Sequence, residues 1–265
     1  MPLWVRLNAS SSCALSQVFL SMGKKQVYEQ VVAISKAMQI PANLHIDYVC
    51  KVCCDIPEIA PDMNSGKKRN LLSAEECIRT WVEKFFHGYS ERISQHASKM
   101  PGTVPDDAVN IIIKADLPKL SDKQVSEIIY AHRLGMSAEN ILGLLLEEFL
   151  FEKLSPAGWA MAWGETVKHV DFCHKDGRLL QIKNRSNSEN SSSSKIRDGK
   201  PIEKWFRVNA NNGKYQWEKL SEIVGSNIAG LNEKEFQKFI TRTLKKNPLA
   251  LAIEPQSPWI SFKGK

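Results

Sequence analysis

In the stretch VKHVDFCHKDGRLLQIKNR, Asp171 is followed after nine residues by Gln181-Ile182-Lys183. A carboxylate on one run and an oxygen-bearing side chain two residues before a lysine on the next suit metal-assisted hydrolysis of a phosphodiester. Oxygen ligands hold a hard cation such as Mg²⁺ against the phosphate, and an ammonium group orients water and steadies developing charge. Gln181 offers a carbonyl oxygen but no charge, so a further carboxylate is needed nearby.

The elements that position these groups read as a β-hairpin. Two alternating runs flank Lys175-Asp176-Gly177, and the glycine can take the positive φ that closes a three-residue loop. With that loop, paired residues place Asp171 opposite Gln181 and His169 opposite Lys183. All four then share one face, and Val170, Phe172, Leu180 and Ile182 form the other. A two-residue turn shifts the pairing by one and mixes the faces, so the three-residue loop is preferred. His169 reads as a hydrogen-bonded neighbour of the carboxylate. The alternative is a solvated hairpin whose Asp and Lys form a surface ion pair.

Upstream, LLLEEFLFEKL reads as a helix with Leu144, Leu145 and Glu148 on one stripe, continued by Phe151 and Glu152. That phase favours Glu148 over Glu147 as the imported carboxylate. Expected strands cover 159–163, 166–173 and 178–184. Helices are expected over 26–39, 72–97 and 233–246, the last stopped by Pro248. Ser73 with Glu76 and Ser121 with Gln124 are capping boxes. Gly88 reads as a possible break, and Gly135 as the end of one helix before Ser137 starts the next, a pair with helix-turn-helix spacing.

The hairpin resembles the PD-(D/E)xK nuclease signature, with Gln181 in place of its middle carboxylate. Taken with GLLLEEFLFEKL and IEKWFR, the segment from about residue 135 to 210 is similar to the SinI-type restriction endonucleases. The resemblance, with the change from helical to strand-like pattern after Pro156-Ala157-Gly158, implies an α+β protein. A mostly helical region (1–136) would precede a PD-(D/E)xK nuclease core (137–265), a mixed central sheet flanked by helices with a DNA-contacting segment at 185–207. It also implies a type II enzyme that uses Mg²⁺ to cut double-stranded DNA at a short symmetric site of the GG(A/T)CC form. Asp171, Gln181 and Glu148 would be metal ligands and Lys183 would be catalytic. A homodimer and a cognate methyltransferase are the implied partners. The rivals are a repair or recombination nuclease and a DNA-binding protein without catalysis.

Charge and composition agree with a polyanion partner. The chain of 265 residues carries a net charge of +7, and between Lys168 and Lys219 twelve Lys/Arg face six Asp/Glu. Within that stretch SNSENSSSSKIRDG has linker composition, yet it directly follows the lysine strand and offers side chains that bond base edges and phosphates. Arg185, Asn187, Ser188, Asn190, Lys195 and Arg197 are its candidate DNA contacts. No apolar run reaches the roughly 18 residues of a membrane span, and no signal-peptide pattern is present, so a cytoplasmic protein is expected, bacterial or archaeal as the resemblance implies. Cys50, Cys53 and Cys54 could begin a zinc site, but no second Cys/His pair follows at ligand spacing.

Overall fold

The computed structural model describes residues 15–61, 63, 73–100, 104–186, 202–225 and 228–263. Helix α1 (Leu15–Met22) and α2 (Lys24–Ala37) come first, and α2 buries Val27, Val31 and Ile34 at the spacing the sequence shows. Then follow α3 (Ile46–Asp55), α4 (Ala74–Ser90), α5 (Asp107–Asp116) and α6 (Asp122–Leu154). The strands are β1 (Trp159–Met161), β2 (Phe172–His174), β3 (Leu179–Arg185) and β4 (Ile202–Val208). Helices α7 (Trp217–Val224) and α8 (Glu233–Lys246) close the list. The protein is thus α+β, with eight α-helices and a four-stranded mixed sheet among the described residues.

Both capping boxes form. Ser73 N–H donates to Glu76 Oε2 (2.7 Å) while Glu76 N–H donates to Ser73 Oγ (3.2 Å), and Ser121 and Gln124 reciprocate in the same way. The helix-turn-helix expectation is overturned, because α6 runs unbroken for 33 residues through Gly135. A single glycine inside a helix costs only about 1 kcal/mol, which the packed turns on either side outweigh. Gly88 likewise lies inside α4 instead of ending it.

The chain divides into two compact units. The first takes residues 1–90 and 150–232, so α1 to α4 belong with the sheet and α7. The second takes 91–149 and 233–265, with α5, most of α6 and α8. The position 136/137 falls inside α6.

Within the first unit the sheet order is β1-β2-β3-β4, with β1, β2 and β3 antiparallel and β4 parallel to β3. Trp159, Phe172, Leu179, Leu180 and Trp205 of this sheet are buried. In the second unit Phe149 of α6 packs on Phe236 and Phe239 of α8, with ring centroids 5.3 and 5.6 Å apart.

Candidate active site

The hairpin closes as the sequence indicates. Gly177 has φ +102° and its N–H donates to His174 O (2.9 Å), and His174 N–H donates to Arg178 O (2.9 Å). The pairs Phe172↔Leu180 and Cys173↔Leu179 carry the three-residue-loop register. Within the loop, Asp176 bonds His174 Nδ1 (2.6 Å) and Arg178 Nε (3.0 Å), which locks the tip.

Regular pairing stops at Phe172, however, and the expected strand over 166–173 is corrected. Glu165 (φ +54°) and His169 (φ +58°) have left-handed backbones that no strand accommodates, so β2 begins only at Phe172. His169 therefore does not stand across a strand from Lys183. Asp171 N–H donates to Leu180 O (2.9 Å), the residue that Phe172 also faces, so two residues oppose one as in a β-bulge. Bulges re-aim side chains. Here the Asp171 carboxylate turns back across β3 and accepts the Ile182 N–H at 2.6 Å.

The site is no solvated ion pair. Asp171 and Lys183 are half-buried, Gln181 is 2% exposed, and Val170, Phe172, Leu180 and Ile182 are all buried. Burial pushes the Asp171 carboxyl up to about 6, against the lowering by the Ile182 N–H and by the Lys183 charge. The Glu165 charge adds to the rise, so the sequence reasoning missed one carboxylate that is felt at Asp171. The GE dipeptide in WGETVK was its only signal, a glycine opening a tight turn before an acid.

That turn is tightly held. Gly164 (φ +68°) meets Gly88 of α4 so closely that a Cβ on Gly88 would lie 2.2 Å from Gly164 N. Trp81 Nε1 of α4 donates to Thr166 O (3.0 Å), and Thr166 Oγ1 donates to Trp163 O (3.0 Å). Ala162 N–H donates to Asp171 O (2.8 Å), which ties the start of the turn to the bulge. Tyr89 and Phe151 pack edge-on against Trp163 at 5.5 and 5.2 Å. Glu165 itself is exposed.

Glu148 belongs to the second unit and is buried, as the helical phase requires, although Leu144 and Glu152 on the expected stripe are exposed. Its carboxylate accepts from Ser94 N–H (3.0 Å) and Ser94 Oγ (2.5 Å) and lies 3.4 Å from Arg92 Nε. Arg185 is exposed at the end of β3, whereas Asn187, Ser188, Asn190, Lys195 and Arg197 lie outside the described residues.

Among the described residues no group of three or more His, Cys, Asp or Glu side chains is gathered for a metal ion. Cys50, Cys53 and Cys54 are buried free thiols on α3. A hydrogen bond from Cys54 and burial push Cys50 up, and burial pushes Cys53 up, so both favour the protonated form over the thiolate that zinc needs. Mg²⁺ differs: it is held by one or two carboxylates with waters and substrate phosphates completing its shell. Asp171, on which the Glu165 charge acts, with the Gln181 amide on the adjoining strand, suits that demand.

The half-buried Asp171 carboxylate and Lys183 ammonium are the two groups to which the sequence assigns phosphodiester hydrolysis. Comparison with known proteins gives the class: the family described as the SinI restriction endonuclease matches residues 32–246. The chain is 44% identical over 197 residues to the type II restriction enzyme SinI of Salmonella infantis, covering 72% of this chain and 82% of that protein. It is 39% identical over 204 residues to the type II restriction enzyme Eco47I of Escherichia coli, covering 75% of this chain and 86% of that protein. The chain belongs to the SinI restriction endonuclease family, and so to the site-specific deoxyribonucleases. No helix among the described residues is long and apolar enough to cross a membrane.

Proposed function

We propose that this endonuclease cuts double-stranded DNA at a short symmetric GG(A/T)CC-like site with Mg²⁺, through Asp171, Gln181 and Lys183 on a PD-(D/E)xK core. The observation that carries the reading is the bulge that turns the Asp171 carboxylate across β3, where it feels the Lys183 charge. Helix, three-stranded antiparallel meander and a parallel fourth strand, in that sequence order, support the PD-(D/E)xK assignment.

Asp171 binds the cation directly and Gln181 contributes its carbonyl oxygen. Bound Mg²⁺ supplies Lewis-acid polarisation of the scissile phosphate. Lys183 orients the attacking water and stabilises the charge that develops on the phosphate. The neutral Gln181 leaves a charge to be found, and two carboxylates are proposed for it. Glu165 has the stronger support, because its charge acts on Asp171. Glu148, the helix residue, has its carboxylate engaged by Ser94 and Arg92.

A symmetric site calls for a homodimer with two such centres. Arg185 and the segment after it, with Asn187, Ser188, Asn190, Lys195 and Arg197, would contact bases and phosphates. A cognate methyltransferase would protect the same sequence, and both would act in the cytoplasm of the host.

The test is digestion of a long DNA of known sequence with Mg²⁺ and with chelator, followed by end sequencing. Discrete fragments ending at GG(A/T)CC, lost with chelator, are expected. Fragments ending at other sequences would overturn the site, and chelator-resistant cutting would overturn the metal.

A further inference from the structure

Five of the thirteen Lys/Arg of the second unit lie on one helix of 14 residues. Residues 91–149 carry six Lys/Arg against nine Asp/Glu, whereas Lys234, Lys238, Arg242, Lys245 and Lys246 all fall within α8. This is a local concentration, not a charge spread over the unit for solubility.

The helix presents these residues in one direction. Phe236, Phe239 and Thr243 are buried, and the first two pack on Phe149 of α6, which fixes the rotation of α8. The opposite side is then a shallow open depression lined by Lys234, Gln237, Lys238, Thr241, Arg242 and Lys245. With a rise of about 1.5 Å per residue, the stripe from Lys234 to Lys245 is roughly 16 Å long, several phosphate spacings of a duplex.

Helix electrostatics account for only part of this pattern. Lys245 and Lys246 suit the negative C-terminal end, and Glu233 and Glu235 suit the N-terminal end. Lys234 in the first turn opposes the helix dipole. The i, i+4 pairs Lys234/Lys238 and Lys238/Arg242 also repel. Glu235 relieves Lys238 at 2.6 Å, and the Arg242 guanidinium lies over the Phe239 ring at 5.3 Å. A row of cations held together against these forces fits a polyanion laid along the helix.

We propose that the outer face of α8 is a sequence-independent contact surface for the phosphates of duplex DNA. It supplies affinity to any duplex and takes no part in the chemistry or in base reading. The proposal rests on the reading of the chain as an enzyme acting on duplex DNA.

The experiment compares the wild type with the triple variant Lys234→Gln/Lys238→Gln/Lys245→Gln. Binding to a duplex lacking the recognition site is followed by fluorescence anisotropy across a salt series. Each lost phosphate contact lowers the log K against log salt slope by about 0.9. The variant should therefore lose roughly 2 to 3 units of slope, while its cleavage rate at saturating DNA stays at the wild-type value and its circular dichroism is unchanged. The control Lys119→Gln/Lys123→Gln, which removes surface cations elsewhere in the same unit, should leave the slope unaltered. A triple variant with the wild-type slope would overturn the proposal, as would an equal loss in the control. Wild-type protein that cuts DNA while the slope is insensitive to α8 rejects this surface alone. Wild-type protein that neither binds nor cuts a duplex rejects the underlying reading as well.

Discussion

Gly88→Ala and Gly135→Ala make the same change inside two helices, and the structure gives them opposite signs. At Gly88 the added Cβ would lie 2.2 Å from Gly164 N and 2.6 Å from Gly164 Cα, both backbone atoms. Non-bonded atoms pack at about 3.5 to 4.0 Å, so α4 and the 163–166 turn must part by roughly 1 Å. Overpacking of this kind costs about 1 to 3 kcal/mol. Parting also weakens the buried Trp81 to Thr166 hydrogen bond, a further ~1 to 3 kcal/mol. The first unit should lose about 2 to 6 kcal/mol, which at roughly 2 to 4 °C per kcal/mol lowers its Tm by about 4 to 24 °C. At Gly135 a Cβ meets nothing within 4 Å. There alanine removes backbone freedom from the unfolded chain and should stabilise by about 0.5 to 1 kcal/mol. Scanning calorimetry of both variants checks this, and calorimetric titration of Gly88→Ala with Mg²⁺ should show weakened binding as the turn carrying Glu165 shifts. Equal Tm changes of the same sign in the two variants would refute the close contact.

Lys183→Ala should abolish cleavage while specific DNA binding stays near the wild-type level, because the lysine acts on water and transition-state charge; cleavage at the wild-type rate would remove it from the mechanism. Glu165→Gln should weaken Mg²⁺ binding and slow cutting by orders of magnitude with partial recovery in Mn²⁺; if Glu148→Gln alone has that effect, the helix carboxylate is the ligand instead. Asp171→Asn tests the raised carboxyl. Its folded value near 6 lies above its ordinary value of 3.8, so the unfolded chain releases the proton first as pH rises, and the metal-free fold loses stability between about pH 4 and 6 and stays lower above it. Asparagine can still accept the Ile182 N–H, so metal-free urea denaturation should show the variant equal to wild type near pH 4 and more stable above pH 6. A variant less stable at pH 7 would contradict the burial argument.

Much of this was legible in the sequence, and the misses have local causes. The loop at Lys175–Gly177 fixed the hairpin register because turn geometry and side-chain alternation agree there. Both capping boxes followed from side chains that satisfy their own helix termini, and the end of α8 from the proline at 248. The strand expected over 166–173 failed because alternation describes side chains and is blind to a left-handed backbone at non-glycine residues such as Glu165 and His169. Gly88 was read as a break because its role lies 76 residues away in sequence, at Gly164. Gly135 was read as a helix end because one glycine is a weak stop when apolar positions continue on both sides.

The exchange of a carboxylate for Gln181 has a physical logic in this fold. Residue 181 is almost fully buried on the strand whose Ile182 N–H holds Asp171. A second carboxylate there would bring two like charges into a region where burial alone already raises Asp171, and in the metal-free protein one of them would have to stay protonated. An amide keeps the oxygen and avoids that penalty. Glu165 is exposed on the turn where Gly88 meets Gly164, and its charge acts on Asp171. With Glu165 as the proposed ligand, the charge a metal needs would come from an exposed turn instead of the buried strand, and its desolvation would be deferred to the moment of binding.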